Sequence, residues 1–341
     1  MGLELINYIY QLINPQFFSI KLSDVNTEGK VLVRPKYMAI CHADQRYYRG
    51  QRDMKVLSQK LPMALIHECC GEVLSDETHT FQPGQQVVLI PNTPTRKLNH
   101  IYENYDDQSK FLSSGDDGFM REFVDLSPDR VVPCDGIPPH IACMAEFYSV
   151  ALHAVDRMLN FAHSYREEIA ILGDGPLAYV VATALRERMP GSHITVIGRR
   201  HRKLARFSFV DRTYVAYDLP KDYYCDHAFE CAGGEGSYDA ISDIIKHIRP
   251  QGTILLMGVS ENQIPIDTRT ILEKGLTVVG SSRSGKKNFE DAVALMQTQR
   301  IRRRLGSIIY EDLPVNNIDD IHRVFATDQD TPFKTVFQWN L

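Results

Sequence analysis

A glycine-rich turn between a predicted strand and a predicted helix is the feature that most constrains the fold of this chain. Residues 167–178 read Glu-Glu-Ile-Ala-Ile-Leu-Gly-Asp-Gly-Pro-Leu-Ala, a short apolar run followed by the pattern G-x-G-x-x-A. Gly173 permits a tight turn, Gly175 lets the backbone approach a pyrophosphate, and the small Ala178 lets the helix pack on the strand. The free N–H groups at the helix start can bind phosphates. The pattern predicts a dinucleotide site, although a purely structural strand-to-helix turn can share it.

A second predicted strand, His193 to Ile197, is followed by the basic run Gly-Arg-Arg-His-Arg-Lys. An acidic residue at this point would bind the ribose hydroxyls of NAD, whereas arginines accommodate the 2′-phosphate of NADP. The run contains no acid, so Arg199 and Arg200 favour NADPH over the alternative of a solvated basic loop. Pro176 and Leu177, at the helix start, complete the predicted cofactor-binding set.

The rest of the chain shows two kinds of organisation. From about 152 to 298, strand-like runs, among them Ile169 to Leu172 and His227 to Cys231, alternate with helical ones, which indicates βαβ units and a parallel sheet. The preceding residues form short β segments broken by Pro and Gly, and the tail ends in a β-like stretch. The sequence therefore predicts an α/β protein. Its β-rich catalytic domain covers 1–151, with 299–341 returning to it, and its Rossmann domain, with a doubly wound parallel sheet, covers 152–298.

Composition excludes several classes of protein. The 341 residues are 43% hydrophobic, enough for a large core, and the net charge of −5 argues against a dedicated nucleic-acid binder. No apolar run approaches the length of a membrane span, and Met1 to Pro15 lacks the pattern of a secretory signal. Seven scattered cysteines suit reduced thiols better than a disulfide framework. A cytoplasmic protein is expected.

Three segments of the first predicted domain carry side chains suited to a metal. Cys41-His-Ala-Asp offers a thiolate, His67-Glu68 offers an imidazole and a carboxylate, and Glu146 offers a second carboxylate. A catalytic zinc uses three such ligands and keeps one position open. The alternatives are a core cysteine and a satisfied polar pair. The His67-Glu68 pair is not the H-E-x-x-H of zinc proteases, because Gly71 stands where the second histidine would be.

Together these motifs resemble one enzyme family over essentially the whole chain. The order C-x-x-D, H-E-x-x-G, isolated Glu and G-x-G-x-x-A is similar to the zinc-containing medium-chain dehydrogenases/reductases. Longer phrases, among them Cys-His-Ala-Asp-Gln-Arg-Tyr-Tyr-Arg-Gly and Phe-Glu-Cys-Ala-Gly-Gly, resemble the ribulose-5-phosphate reductases. The resemblance implies a GroES-like catalytic domain and a zinc-dependent reduction of D-ribulose 5-phosphate to D-ribitol 5-phosphate by NADPH. That product serves CDP-ribitol and teichoic acid or capsule synthesis.

The resemblance also assigns residues to the metal. The implied catalytic and zinc-binding residues are Cys41, His67, Glu68 and Glu146. Both glutamates can bind zinc together, or one can act through the metal-bound water. Asp44 is expected to orient the ligands. Ala43 departs from the family, because many relatives carry a hydroxyl there that relays the proton, so water with Glu146 or Tyr47 must replace it. From Gly71 to Pro133 there is no cysteine, so only the catalytic zinc is expected.

Substrate and partners are predicted on the same basis. A phosphorylated ketose needs a cationic clamp, for which Arg46 is the first candidate. Further basic residues near the ligand segments or on another candidate loop are Arg49, Arg52, Lys60, Arg283, Lys286 and Lys287. The family implies a homodimer, and activation of the product with CTP suggests a complex with the ribitol-5-phosphate cytidylyltransferase. Three alternatives stay open: a generic zinc polyol or sugar dehydrogenase, a zinc-free NADPH quinone reductase-like protein, and a non-catalytic NADPH-binding scaffold.

Overall fold

The computed structural model describes residues 5–97 and 99–341; positions 1–4 and 98 of the predicted first domain lie outside the described residues. The chain forms two compact units. The first holds the residues up to Ser149 together with Ser284–Leu341, and the second is Val150–Arg283. The chain thus re-enters the first unit earlier than the boundary at 299 predicted from sequence. The reason is a set of hydrogen bonds within that unit, such as Gln297 Nε2 to the carbonyl oxygen of Asp135 at 2.9 Å.

Strands supply the framework of both units. In chain order they are β1 Ile6–Asn14, β2 Phe17–Asp24, β3 Val31–Ala39, β4 Met63–Ala64, β5 Glu68–Asp76, β6 Gln86–Leu89, β7 Asn92–Thr93, β8 Lys110–Phe111, β9 Val124–Leu126, β10 Val131–Pro133, β11 Glu168–Leu172, β12 His193–Gly198, β13 Arg212–Val215, β14 Cys225–Glu230, β15 Ile248–Leu256, β16 Thr277–Gly280, β17 Ile309–Glu311 and β18 Lys334–Gln338.

Helices connect and cover the strands. They are α1 His42–Tyr48, α2 Met54–Lys60, α3 Pro139–Ala142, α4 Ala145–Phe161, α5 Pro176–Arg188, α6 His201–Leu204, α7 Gly236–His247, α8 Thr268–Lys274, α9 Lys286–Met296, α10 Gln299–Ser307 and α11 Ile318–Asp330. None of the helices in the described ranges is long and apolar enough to cross a membrane.

The first unit is built on a seven-stranded sheet ordered β10-β6-β5-β3-β18-β17, with β9 paired to β3. Apolar residues of β3, β5 and β6 pack into one hydrophobic core that includes Val33, Val73 and Val87. The antiparallel register of β3 and β5 sets Ala39 opposite Glu68. The end of β3 therefore lies beside the start of β5, which positions the site described below.

The second unit carries a parallel sheet ordered β13-β12-β11-β14-β15-β16. In this doubly wound order, strand connections reverse direction between β11 and β14, which is where open α/β sheets bind nucleotides. The two central strands, β11 and β14, are almost wholly buried, as expected for a sheet covered on both faces. The predicted fold class, a β-rich unit plus a doubly wound parallel-sheet unit, is confirmed.

Candidate active site

The end of β3 and the start of β5 bring three possible metal ligands together. Cys41 precedes α1 as its N-terminal cap, His67 immediately precedes β5, and Glu68 is the first residue of β5. The donor atoms of the three side chains all lie within 4.8 Å of one another. His67 and Glu68 are buried and Cys41 is half-buried. The structure thus gathers three of the four residues predicted from sequence.

Glu146 lies outside that three-residue group, although it shares the same surroundings. It stands in the first turn of α4, is buried, and interacts electrostatically with His67, Glu68 and Cys41. Burial raises the pKa of Glu146 to about 8, a shift that His67 opposes and that Glu68 reinforces. Its carboxyl is thus a candidate either for a further metal ligand or for a proton donor.

Glu68 is held by a buried lysine that the sequence analysis did not identify. Lys334 Nζ, on β18, lies 2.5 Å from Glu68 Oε1 and donates a second hydrogen bond to the Ile40 carbonyl at 2.8 Å. The same ammonium lies 4.5 Å from the centre of the Phe147 ring. Burial raises the pKa of Glu68 whereas Lys334 lowers it. The other carboxylate oxygen, Oε2, is buried with no hydrogen-bond partner among the described residues.

Asp44 ties the two ligand-bearing segments together. Its Oδ2 accepts the backbone N–H of Cys41 at 3.2 Å, and its Oδ1 accepts the N–H of Ile66 at 3.0 Å. Asp44 Oδ2 lies 3.6 Å from His67 Nδ1, beyond hydrogen-bond distance. Asp44 therefore fixes the backbone on both sides of the site, whereas the expectation that it orients the ligands themselves stays a prediction.

These residues fit a zinc ion. A thiol, an imidazole and a carboxylate are the ligand types that zinc prefers, and the bare Glu68 Oε2 needs a positively charged or donor partner. Burial raises the pKa of Cys41 to about 12, so the thiol needs a cation beside it to become a thiolate. Cys41, His67 and Glu68 would hold the ion, with Glu146 as a further candidate.

A row of basic side chains follows Cys41 along α1. His42, Arg46 and Arg49 are spaced by four and three residues, which places them on one helix face. Burial lowers the pKa of His42, and Arg46, Arg49 and Arg52 lower it further because their charges repel an added proton. The Arg52 guanidinium stacks on Tyr47, 4.8 Å from the ring centre. The predicted substrate residue Arg46 thus belongs to a cationic cluster beside the metal ligands.

The basic residues predicted on the second candidate loop have other partners. Lys287 forms an ion pair with Asp291 on the exposed surface of α9. The backbone N–H of Lys286 donates to Glu103 Oε1 at 2.6 Å. Lys60, which was predicted near the ligand segments rather than on this loop, donates to Ser114 Oγ at 2.8 Å. The cluster on α1 is kept as the candidate for an anion because it follows Cys41 directly in the chain.

The glycine-rich turn of the second unit joins β11 to α5, as the sequence motif predicts. Gly173 adopts φ +137°, and a β-carbon there would lie 2.8 Å from the carbonyl oxygen of Cys231. A β-carbon at Gly175, the N-terminal cap of α5, would meet no described atom within 4 Å. Pro176 and Leu177 form the first turn of α5, and Gly175 gives it no side-chain cap. The backbone N–H groups of this turn fit a bound phosphate group.

An aspartate of the turn organises the basic run predicted to bind a 2′-phosphate. Asp174 Oδ2 accepts the backbone N–H groups of both Arg199 and Arg200 at 2.8 Å. The Arg199 guanidinium lies near the start of α7, where a β-carbon at Gly236 would be 3.7 Å from its Nη2. Sequence reasoning noted the missing acid at the tip of β12 but not that Asp174 reaches the same place from the turn before α5.

The chain is similar to known proteins over nearly its whole length. The family described as "Alcohol dehydrogenase GroES-like domain" matches residues 27–138, and "Glucose dehydrogenase C-terminus" matches residues 139–339. A ribulose-5-phosphate reductase of Streptococcus pneumoniae is 53% identical over 99% of both chains. The chain belongs to the medium-chain dehydrogenase/reductase family, among the ribulose-5-phosphate reductases.

Other relatives support the same placement. A ribulose-5-phosphate reductase of Bacillus spizizenii is 42% identical over 99% of this chain and 100% of the relative. The crystal structure of S. aureus TarJ in complex with NADPH is 42% identical, covers 99% of this chain and 100% of its own, and superposes with a TM-score of 0.88. As a member of this family the protein is an oxidoreductase that acts on CH–OH groups.

Proposed function

We propose that this protein reduces D-ribulose 5-phosphate to D-ribitol 5-phosphate with NADPH at a single zinc centre. The observation that carries the proposal is the convergence of Cys41, His67 and Glu68, in a chain 53% identical over its length to a ribulose-5-phosphate reductase. The relative with bound NADPH and the uncapped glycine turn support the cofactor. Arg199 and Arg200 support NADPH over NADH.

When bound, zinc supplies Lewis-acid polarisation of the C2 carbonyl, and NADPH supplies the hydride. The chain prepares the site for both. Cys41 and His67 present soft and borderline ligands, and Asp44 holds the backbone that carries them. Lys334 holds one oxygen of Glu68, and the other oxygen has no hydrogen-bond partner among the described residues. Preorganised ligands of this kind need no rearrangement during the reaction.

The new hydroxyl also needs a proton, and Ala43 has no hydroxyl to relay one. Glu146 is the candidate donor, directly or through a water molecule. Its burial favours the protonated acid, as the raised pKa indicates. Tyr47 is the weaker candidate because its buried ring supports the Arg52 guanidinium.

The substrate phosphate is proposed to bind the cluster formed by His42, Arg46, Arg49 and Arg52. A guanidinium can grip phosphate oxygens with two N–H groups at once. The cluster follows the ligand Cys41 directly, so a phosphate bound there would leave the sugar carbonyl near the metal ligands. A substrate without phosphate would leave these charges without their ligand, which costs binding energy.

The pathway and partners are proposed on chemical grounds. The product, a polyol phosphate, is suited to activation with CTP in the cytoplasm, toward CDP-ribitol for teichoic acid or capsule. A complex with the ribitol-5-phosphate cytidylyltransferase stays a prediction that co-purification can check.

A homodimer is proposed through β16. This strand closes one edge of the parallel sheet, and Val278 on it and Leu272 just before it are exposed. An edge strand offers unpaired N–H and C=O groups to a second copy. Light scattering should give a dimer for the wild type and a monomer for Val278→Lys. A wild-type monomer would rule this out.

The test of the proposed function is NADPH oxidation against a panel of ketoses and their phosphates, with zinc measured in the same preparation. Ribulose lacks the phosphate, so it cannot form the charge-assisted hydrogen bonds that an arginine would make to two phosphate oxygens. Loss of two such bonds should lower kcat/KM for ribulose roughly 10²- to 10⁴-fold relative to ribulose 5-phosphate. Comparable rates on both would favour a generic polyol dehydrogenase. Quinone reduction without metal would favour the quinone reductase-like alternative, and NADPH binding without ketose-dependent oxidation would favour a scaffold.

A further inference from the structure

The contact of His67 with the loop that follows β8 is not explained by the zinc ligands alone. Ser113 Oγ lies 2.7 Å from His67 Nδ1, and both side chains are buried. Phe111, the last residue of β8, packs against the imidazole with ring centres 5.4 Å apart. His67 is thus contacted by an aromatic ring of β8 and by a hydroxyl of the loop that follows.

We propose that Ser113 is a positioning residue that fixes the His67 imidazole for metal binding, an inference that rests on the proposed zinc centre. The nitrogen bonded to Ser113 is Nδ1, which leaves Nε2 as the nitrogen able to bind a cation. A histidine that binds through Nε2 carries its proton on Nδ1, so Nδ1–H donates to Ser113 Oγ. Such an outer contact sets the tautomer and the ring orientation of a metal ligand.

Asp44 does not fill this position. Its nearest oxygen is 3.6 Å from His67 Nδ1, and both of its oxygens already accept backbone N–H groups from Cys41 and Ile66. The serine contact is shorter by almost an ångström. In the described site the side-chain partner of His67 Nδ1 is therefore a hydroxyl, while the carboxylate holds the backbone.

The backbone at Ser113 indicates that the loop is built to deliver this hydroxyl. Ser113 adopts φ +63°, a left-handed conformation that costs a non-glycine residue about 1 kcal/mol. Hydrogen bonds on both sides hold it, from Ser113 N–H to Asp116 O at 2.9 Å and from Leu112 N–H to Pro91 O at 3.0 Å. Strain of this kind persists where the surroundings over-determine it, commonly at functional sites.

Two substitutions separate the hydroxyl from the backbone. Ser113→Ala removes the hydroxyl and keeps the strained β-carbon, whereas Ser113→Gly removes the hydroxyl and relieves the strain. Ser113→Asn offers a carbonyl oxygen and tolerates the left-handed conformation, so it is the rescue variant. Ser114→Ala is the matched control, because that neighbouring hydroxyl contacts Lys60 rather than His67.

The readout is the zinc affinity of the purified full-length chain, measured by competition with a chromophoric chelator, with far-UV circular dichroism to verify folding. Loss of an outer partner of a ligating histidine typically weakens metal binding 10- to 100-fold. We expect that loss for both Ser113→Ala and Ser113→Gly, wild-type affinity for Ser114→Ala, and partial recovery for Ser113→Asn.

The outcomes distinguish this inference from the proposed function. A folded Ser113→Gly protein that binds zinc within twofold of wild type overturns the inference and leaves the zinc centre intact. A wild-type protein that binds no zinc overturns both. Equal loss in Ser114→Ala would show that the loop acts only as a structural support, and it too would overturn the positioning role.

Discussion

At the scale of single residues, the candidate site brings a thiol, an imidazole and a carboxylate together. Cys41→Ala or His67→Ala removes one of these three proposed zinc ligands. Either variant should therefore lose its zinc and nearly all activity, yet keep NADPH binding, because the glycine turn lies in the other unit. Elemental analysis and cofactor titration measure the two effects.

The matched control for this prediction is Cys134→Ala, which deletes another thiol of the first unit, in this case a fully buried one. Its nearest sulfur neighbour is Cys70, at 4.0 Å, and it does not belong to the three-residue metal group. It should keep its zinc and lose only modest stability. Zinc retained in Cys41→Ala, or lost equally in Cys134→Ala, would contradict the assigned ligands.

The pairing of Lys334 with Glu68 leads to a prediction about stability. Lys334→Met leaves a buried carboxylate without its ion-pair partner, which typically costs about 3–5 kcal/mol of unfolding free energy. The only tryptophan, Trp339, lies buried in the same unit, so its fluorescence during urea unfolding reports on this unit.

Lys36→Met is the control for Lys334→Met, because Lys36 forms a solvent-exposed pair with Glu72 at 3.7 Å. Exposed pairs contribute little, about 0–1 kcal/mol. The double variant Glu68→Gln with Lys334→Met should be more stable than the sum of the single losses implies. Equal losses in Lys334→Met and Lys36→Met would show that the buried pair is not stabilised as described.

At the scale of elements, hydrogen bonds join the turn before α5 to the end of β12, and both belong to the proposed cofactor site. Asp174 fixes the backbone of Arg199 and Arg200, which frees both side chains for a ligand rather than for holding the loop. Arg199→Ala with Arg200→Ala should lower kcat/KM for NADPH roughly 10- to 100-fold and change NADH little. Arg206→Ala, an exposed arginine after α6, is the control. An equal loss with both cofactors would assign the two arginines a structural role.

The elements of the second unit were largely predictable because their signals are local. The strand predicted from Ile169 to Leu172 matches β11 within one residue, and the strand predicted from His193 to Ile197 matches β12 equally well. The strand predicted from His227 to Cys231 corresponds to β14, which begins two residues earlier, at Cys225, and ends at Glu230. Apolar runs next to glycine turns identify buried parallel strands, but their ends depend on pairing with neighbours.

The contacts that complete the site were not predictable, because they join residues distant in sequence. Lys334 reaches Glu68 across 266 positions, and Ser113 reaches His67 across 46. Neither residue belongs to a motif, and a lysine near the C-terminus ordinarily suggests a solvated charge. Only the order of strands in the sheet, with β18 beside β3, brings that lysine under the ligands.

At the scale of the whole molecule, each unit has its own hydrophobic core. Both units also bury polar side chains, whose hydrogen bonds affect the free energy of unfolding. In the second unit these include His227 on β14, whose imidazole is fixed in its neutral form. Its Nδ1 accepts the N–H of Thr253 at 3.0 Å, and its Nε2 donates to the carbonyl of Tyr165 at 3.1 Å. Burial lowers the pKa of His227 to about 4, with a further contribution from His163, whose ring centre is 4.4 Å away.

This buried histidine predicts a pH dependence of folding. Arg166 also opposes its protonation and Asp226 favours it, with burial the dominant cause. Because unfolded histidine has a pKa near 6.5, the unfolded chain binds more protons than the native one between about pH 6.5 and pH 4. The contribution of His227 is therefore fully present above pH 6.5 and falls by up to roughly 3 kcal/mol as the pH drops to 4. His227→Gln keeps a hydrogen-bond donor and acceptor but cannot be protonated, so its free energy of unfolding should change less between about pH 6.5 and pH 4. Urea unfolding followed by circular dichroism measures this slope of unfolding free energy against pH. His193→Gln changes an exposed histidine and should keep the slope of the wild type. A slope unchanged in His227→Gln would mean that other groups set the acid sensitivity.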